Sequence, residues 1–418
     1  MKKTTSKQET STHTWDFKPR FRRHAFGWRS ETAIKRVKEA ITEIKKVAAK
    51  EPILGACGAI IFIERISSAL DHVDGSSGSM GSAVNHSLKE MVKIIAAAPA
   101  ETNIRNEWLN RLWAAVHADR IGYLDSLPQY WGELCASPEL AQSWADKFSW
   151  TVKSLWLSEK KGGSYCPETI ASMSSFLKAE KYQEILELIE LAPYIWWHYR
   201  KWGVQALLKL GKTDEALKYA EDSREPNDPE NEINQVCETI LISQGRSQEA
   251  YEKYALHAHQ KSTYLATFNE ICKIYPMKPS SEILNDLIAT TPGMEGKWFA
   301  TARRAGFHDM ALKLANHNSC EPVTLIRASR DELKTNPLFA CEAGMAALRL
   351  MISGFGYEIT NLNVIDALNY TLQAAELISQ KNEVLKRMKI MTQSFTGKRN
   401  SVIEMVENFV RLNERRLS

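Results

Sequence analysis

Apolar residues recur at spacings of three and four along most of the chain, the mark of helices with one buried face. Ile34, Val37, Ile41, Ile44 and Val47 share a face of a helix predicted to start after Ser30, a suitable N-cap, and to end before Pro52. Residues 53–70 predict a second, more apolar helix that is buried. Residues 71–81 (DHVDGSSGSMG) interrupt the pattern with three glycines and three serines. A helix from Ser82, its expected N-cap, to about 98 follows and stops at Pro99. Helices near 103–118 and 138–157 come next, with Trp108, Trp113, Trp131, Trp144, Trp150 and Trp156 as bulk. Near the end, 361–380 and 382–393 form a pair, and Val402, Met405, Val406 and Phe409 mark a last amphipathic helix. The pattern predicts an all-α protein.

The middle of the chain repeats. LLKLGKTDEALKYA (207–220), LISQGRSQEAYEKYA (241–255) and ARRAGFHDMALKLA (302–315) each place Ala five residues after Gly, at 211/216, 245/250 and 306/311. Gly ends a helix by taking the left-handed conformation, and Ala lets the next helix pack closely against the first. FLKAEKYQEILELI (176–189) is a degenerate copy with Glu180 in the glycine's place. The successive steps from 180 to 211, from 211 to 245 and from 245 to 306 are 31, 34 and 61 residues, the last being two periods.

In that turn and second helix, over 176–318, the chain resembles the tetratricopeptide superfamily. At the first-helix positions the second copy has Arg200, Gly203, Val204 and Leu207, and only Leu207 comes near that family's preferred residues. The resemblance implies an α-solenoid of helix-turn-helix repeats and no particular ligand. The segments FGWRS (26–30), VDGSSG (73–78), ELCASPE (133–139) and GFGYEIT (354–360) make the whole chain similar to a bacterial α-helical repeat family, which supplies no activity to carry over. Four segments follow: a basic tail and arm (1–30), an N-terminal helical domain (31–160, ending near the glycines at 162–163), the repeat array (161–345) and C-terminal helices (346–418).

Charge is uneven. Residues 1–50 hold 14 Lys and Arg against 5 Asp and Glu, and 381–418 hold 9 against 4, so a net +4 hides basic ends around an acidic middle. The longest apolar run, 56–63, is too short to cross a bilayer. Lys2 and Lys3 lead into polar residues rather than a signal peptide's apolar segment. The seven cysteines are scattered with no C-x-x-C, which fits a reducing compartment and disfavours a zinc ribbon. The expected location is the cytoplasm, without membrane attachment.

Three regions carry candidate chemistry. Asp71, His72 and Asp74, with His86 on the following helix, stand around a glycine-rich turn that can present N–H groups to an anion or ligands to a metal. The plain alternative is an inter-helix linker. Trp196, Trp197, His198, Arg200 and Trp202 head one repeat and either line a partner-binding groove or fill the core; aromatics and Arg dominate interface hot spots. In the arm, Lys18, Arg20, Arg22, Arg23 and Arg29 alternate with Trp15, Phe17, Phe21, Phe26 and Trp28, a combination that grips nucleic acid or docks on the acidic middle of the chain. Docking is preferred because the aromatics need a dry site, with Phe26 and Trp28 expected against the first helices and residues 1–14 loose. His257 and His259, two apart on a helix, point to different faces and are not expected to share a metal. No nucleophile or zinc-protease motif is present, and no cofactor is implied. The expected function is a non-catalytic scaffold that binds a protein or peptide on the inner face of its repeats. Nucleic-acid association through the basic ends, or an enzyme or anion/metal site at 71–86, are the alternatives.

Overall fold

The computed structural model describes residues 13–158, 166–194, 196–225, 228–317, 319–397 and 400–415, and every regular element among them is helical. The chain forms two compact units, Met1–Asp228 and Pro229–Ser418. The first holds α1 (Ser30–Ala48), α2 (Pro52–Leu70), α3 (Ser79–Ala97), α4 (Thr102–Ala118), α5 (Trp131–Cys135), α6 (Pro138–Ser158), α7 (Pro167–Lys178), α8 (Tyr182–Glu190), α9 (Trp197–Lys209) and α10 (Thr213–Glu221). The second holds α11 (Glu230–Ser243), α12 (Ser247–Ala250), α13 (Leu256–Ala258), α14 (Tyr264–Ile274), α15 (Ser280–Ala289), α16 (Phe299–Arg304), α17 (His308–Leu314), α18 (Pro322–Glu332), α19 (Pro337–Ile352), α20 (Asn361–Leu377), α21 (Lys381–Gln393) and α22 (Ser401–Glu414). A π-helical turn, Tyr251–Ala255, joins α12 to α13.

The expected break near 160 lies outside the described residues, and α6 and α7 on either side of it pack together. The expected boundary after 345 falls inside α19. Ser30 is the first residue of α1 rather than its cap. Ser82 likewise lies within α3, which starts at Ser79 behind Gly78, whose φ of 69° suits glycine.

α2 is the core of the first unit, packed by α1, α3 and α4. Among the described residues it is the one helix long and apolar enough to cross a membrane, more than its eight-residue run suggested, because Gly, Ala and Ser extend the apolar stretch on both sides. Of that window, 61% is buried inside the protein, which is what a central core helix requires.

A helix leaves its last carbonyls without intrahelical partners, and a buried end must satisfy them. Six helices do so in one way. Glu180, Gly211, Gly245, Gly306, Gly354 and Ser379 all have φ between 58° and 84°. Each donates its N–H to the carbonyl three residues back, and the next N–H donates to the carbonyl five back at 2.8–2.9 Å. This is the Schellman turn. Gly211, Gly245 and Gly306 therefore follow helix ends as expected, and Glu180 does the same without being glycine. Five residues beyond, Ile185, Ala216, Ala250, Ala311 and Val384 are fully buried, so the Ala signature is one form of a general small-or-apolar slot. Within the 61-residue gap, α14 and α15 form the missing pair, joined through Pro276 and Pro279 without a left-handed residue.

Arg105 on α4 solves the same problem differently. Its side chain is buried, and its guanidinium donates to Ile95 O (3.0 Å) and Ala98 O at the end of α3 and to Leu134 O (3.1 Å) in α5. A cation at the negative end of a helix is favoured, and here it has carbonyls rather than a carboxylate as partners.

Three outcomes follow for denaturant unfolding. Gly245→Val should destabilise by about 1–2 kcal/mol, while Glu180→Gly should stabilise by roughly 1 kcal/mol, because the left-handed strain is then relieved. Arg105→Met should cost about 2–4 kcal/mol, since it strands buried carbonyls. Neutral behaviour of both turn variants would mean that these positions do not hold the conformation described.

Candidate functional site

The arm is held by its aromatics. Trp15, Phe17 and Phe21 are buried, with Phe17 and Phe21 edge-on to Phe62 of α2 at ring distances of 6.0 and 5.3 Å. Trp15 lies on Gly58, where a Cβ would come within 2.3 Å of the indole. Glu43 of α1 accepts the backbone N–H groups of Asp16 (2.7 Å) and Phe17 (3.0 Å), and Arg20 pairs with Glu39 at 3.2 Å. The arm thus docks on α1 and α2, not on the acidic middle. Phe26 is half-buried against the same core. Trp28, expected beside it, is 69% exposed, because the apolar surface is already covered by the three earlier rings. Lys18, Arg20, Arg22, Arg23 and Arg29 all face solvent. Residues 1–12 lie outside the described residues, so the expectation of a loose tail concerns a segment not described here.

Docking carries the arm to the C-terminal end of α2. The His24 N–H donates to Ser68 O at 3.0 Å, and Asp74 N–H donates to Trp28 O at 2.8 Å, so two backbone bonds bracket the segment 24–28. His24 has φ 55°, unusual for a residue with a side chain. Its Nδ1 lies 2.7–2.9 Å from the two Asp71 carboxylate oxygens, and its ring stacks on His72 at 4.5 Å with 25° between planes. One ligand atom from each of His24, Asp71 and His72 lies within 4.8 Å of the others. The structure therefore unites two of the four residues expected at 71–86 with a histidine 47 positions earlier. Asp74 turns away to accept the Ser76 N–H at 2.9 Å, a bond that lowers its carboxyl below the usual range. His86 is exposed on α3 and stands apart from the cluster.

A cleft of about 390 Å³ opens beside Asp71, bordered by Arg23, Glu64, Asp119 and Arg120. Glu64 is held by Arg111 through two 2.8 Å bonds. Asp119 accepts from Ser67 Oγ and from the N–H groups of Ile121 and Leu124. These carboxylates are committed to fixing the end of α2, while the imidazoles beside Asp71 remain at the surface.

The 196–202 segment divides. Trp197, Tyr199 and Trp202 are buried, which puts Trp197 and Trp202 in the core rather than on a groove. The cause is helical spacing: 199 and 202 share the face that α9 turns toward α7 and α8. Arg200 is half-buried, with its guanidinium 3.6 Å over the Tyr219 ring and its Nε donating to Ser223 Oγ at 2.9 Å, so it ties α9 to α10. Trp196 and His198 are exposed. Trp196 stacks on Tyr194 at 5.3 Å with 17° between planes, and both rings face solvent at 40% and 36%. Tyr194 was not singled out by the sequence, since it precedes the helix and belongs to no periodic set.

In the second unit, Glu238 of α11 is buried between Tyr275 Oη, which donates to it at 2.6 Å, and His259 Nε2 at 2.5 Å. These bonds tie α11 to the ends of α13 and α14, across the pair that lacks a Schellman turn. His257 is exposed, so the two histidines do point apart. A 360 Å³ cleft near α19 and α21 holds Arg387 and Arg349, but Arg387 is bound bidentately to Glu342 at 2.6 and 2.8 Å, and Arg349 donates to Ala315 O and Asn316 O. Burial pushes the thiols of Cys135, Cys166 and Cys320 up to about 12 and that of Cys341 to about 11, which keeps them protonated at neutral pH.

Comparison with family models, with curated proteins and with solved structures finds no match to this chain.

Gly58→Ala should expel Trp15 and speed tryptic cleavage after Arg22 and Arg23, measured on the intact chain against cleavage at other sites. An unchanged rate would show that the arm is held by something other than Trp15.

Proposed function

We propose that the chain is a non-catalytic, protein-binding scaffold of tetratricopeptide-like helical hairpins stacked as a solenoid. The observation that carries this reading is the recurrence of one Schellman turn at six helix ends between α7 and α21, five of them followed five residues later by a fully buried residue. Repeats of this kind present extended surfaces, and their function lies in exposed anchors rather than in a catalytic set. Trp196 and Tyr194 supply such an anchor: two stacked, solvent-facing rings just before α9, suited to an apolar side chain of a partner's peptide segment. His198 flanks them on the exposed side of α9.

The test compares two full-length variants with the parent by cross-linking in the native host. Tyr194→Ala with Trp196→Ala should lose cross-linked partners that the parent and Trp150→Ala both retain, with a melting temperature within a few degrees of the parent, as exposed substitutions allow. Arg200→Glu is unsuitable as a surface probe, since it breaks the stack on Tyr219. Retention of every partner by the double variant would overturn the anchor, and loss of the same partners by Trp150→Ala would overturn its location.

A second reading, nucleic-acid association, rests on the five exposed cations of the arm beside exposed Trp28. With Trp15, Phe17 and Phe21 buried, it would depend on phosphate contacts and one stacking ring. Such binding must weaken steeply as salt rises; a flat salt dependence would exclude it.

A further inference from the structure

We propose that His24, Asp71 and His72 form a site for a divalent late first-row transition-metal ion, zinc being the probe of choice, and that the ion fastens the arm to the end of α2. Two imidazoles and one carboxylate are the donor set such ions take, and they exclude the all-oxygen preference of magnesium and calcium. Three protein ligands leave one coordination position to water.

The geometry is close to what zinc needs. Ligand atoms bound at about 2.0–2.1 Å in a tetrahedron lie roughly 3.3 Å apart. Here the three atoms lie within 4.8 Å of one another, and the His24–Asp71 pair is already at 2.7–2.9 Å. The two rings stack at 4.5 Å with 25° between planes, so a shared ion requires the imidazoles to rotate out of the stack, and His24 and His72 are exposed enough to do so. The backbone bonds from His24 to Ser68 and from Asp74 to Trp28 hold both ligand-bearing segments in place, so the site is preorganised.

Electrostatics favour a cation at this point. Asp71 is the C-cap of α2, where the helix presents its negative end, and no basic residue stands in the last turn. A carboxylate there is repelled by the helix that carries it. Arg23 and Arg120 border the neighbouring cleft. Among the described residues, His24 is the one group recorded in direct ionic contact with Asp71. An ion bridging Asp71 to both histidines neutralises the helix end and the carboxylate together. The ligating nitrogens must be unprotonated, so uptake releases to solvent any proton they carry.

The site does not depend on the scaffold reading, and its test uses the untagged full chain. Zinc titration by calorimetry should give one ion per chain. His24→Asn, chosen because Asn accepts positive φ, and His72→Ala should each weaken binding by at least about tenfold. His86→Ala should leave it unchanged. Zinc should also slow tryptic cleavage after Arg22 and Arg23 relative to other sites in the parent, and not in His24→Asn. Equal zinc affinity in the parent and His24→Asn, an equal loss in His86→Ala, or arm cleavage indifferent to zinc would overturn the proposal.

Discussion

The need to satisfy carbonyls at the ends of short, packed helices governs this structure more than any other interaction. A chain of many helices has many such ends. Three devices serve them here. Six helices curl back through a left-handed residue. The helices α3, α5 and α17 are capped by long arginine side chains reaching in from α4 and α19. The end of α2 is capped by the backbone of the arm at His24. The first device is local and cheap in entropy; the other two bind together parts of the chain that are far apart in sequence.

How much of this the sequence discloses depends on which device is used. Glycine in a helix-ending position announces a Schellman turn, so the turns at 211, 245 and 306 were legible, and with them the helical pairing. The turn at Glu180 was legible only through its place in the repeat, and the turn at Ser379 was not, because tertiary packing imposes a conformation that neither residue prefers. Arg105 looks in sequence like any arginine on an amphipathic helix. Its burial follows from three carbonyls that only the fold assembles. The all-α class and most helix limits came from periodicity, which is a property of neighbouring residues.

The candidate sites divide along the same line. The aromatics of the arm had to find a dry surface, and three did, yet nothing in their order told that Trp28 would be left outside. In the 196–202 segment the helix period separates Trp196 from Trp197 and Trp202, but its phase was unknown without the partners of α9. His24 stands alone in its segment, and only docking brings it to Asp71 and His72. Long-range encounters of this kind have no local signature.

The contrast between local and distant caps also sets an order of events during folding. Each Schellman turn closes over a handful of residues, so a hairpin of the α9–α10 kind can form as soon as its second helix has been synthesised. The end of α2 must wait for the arm to settle, and the end of α3 must wait for Arg105 and then for α5. The N-terminal helices are made first yet depend on contacts more remote than those of the hairpins that follow them. Each hairpin therefore needs only its own two helices to close, while the arm over residues 15–28 is seated only once α1 and the whole of α2 are in place.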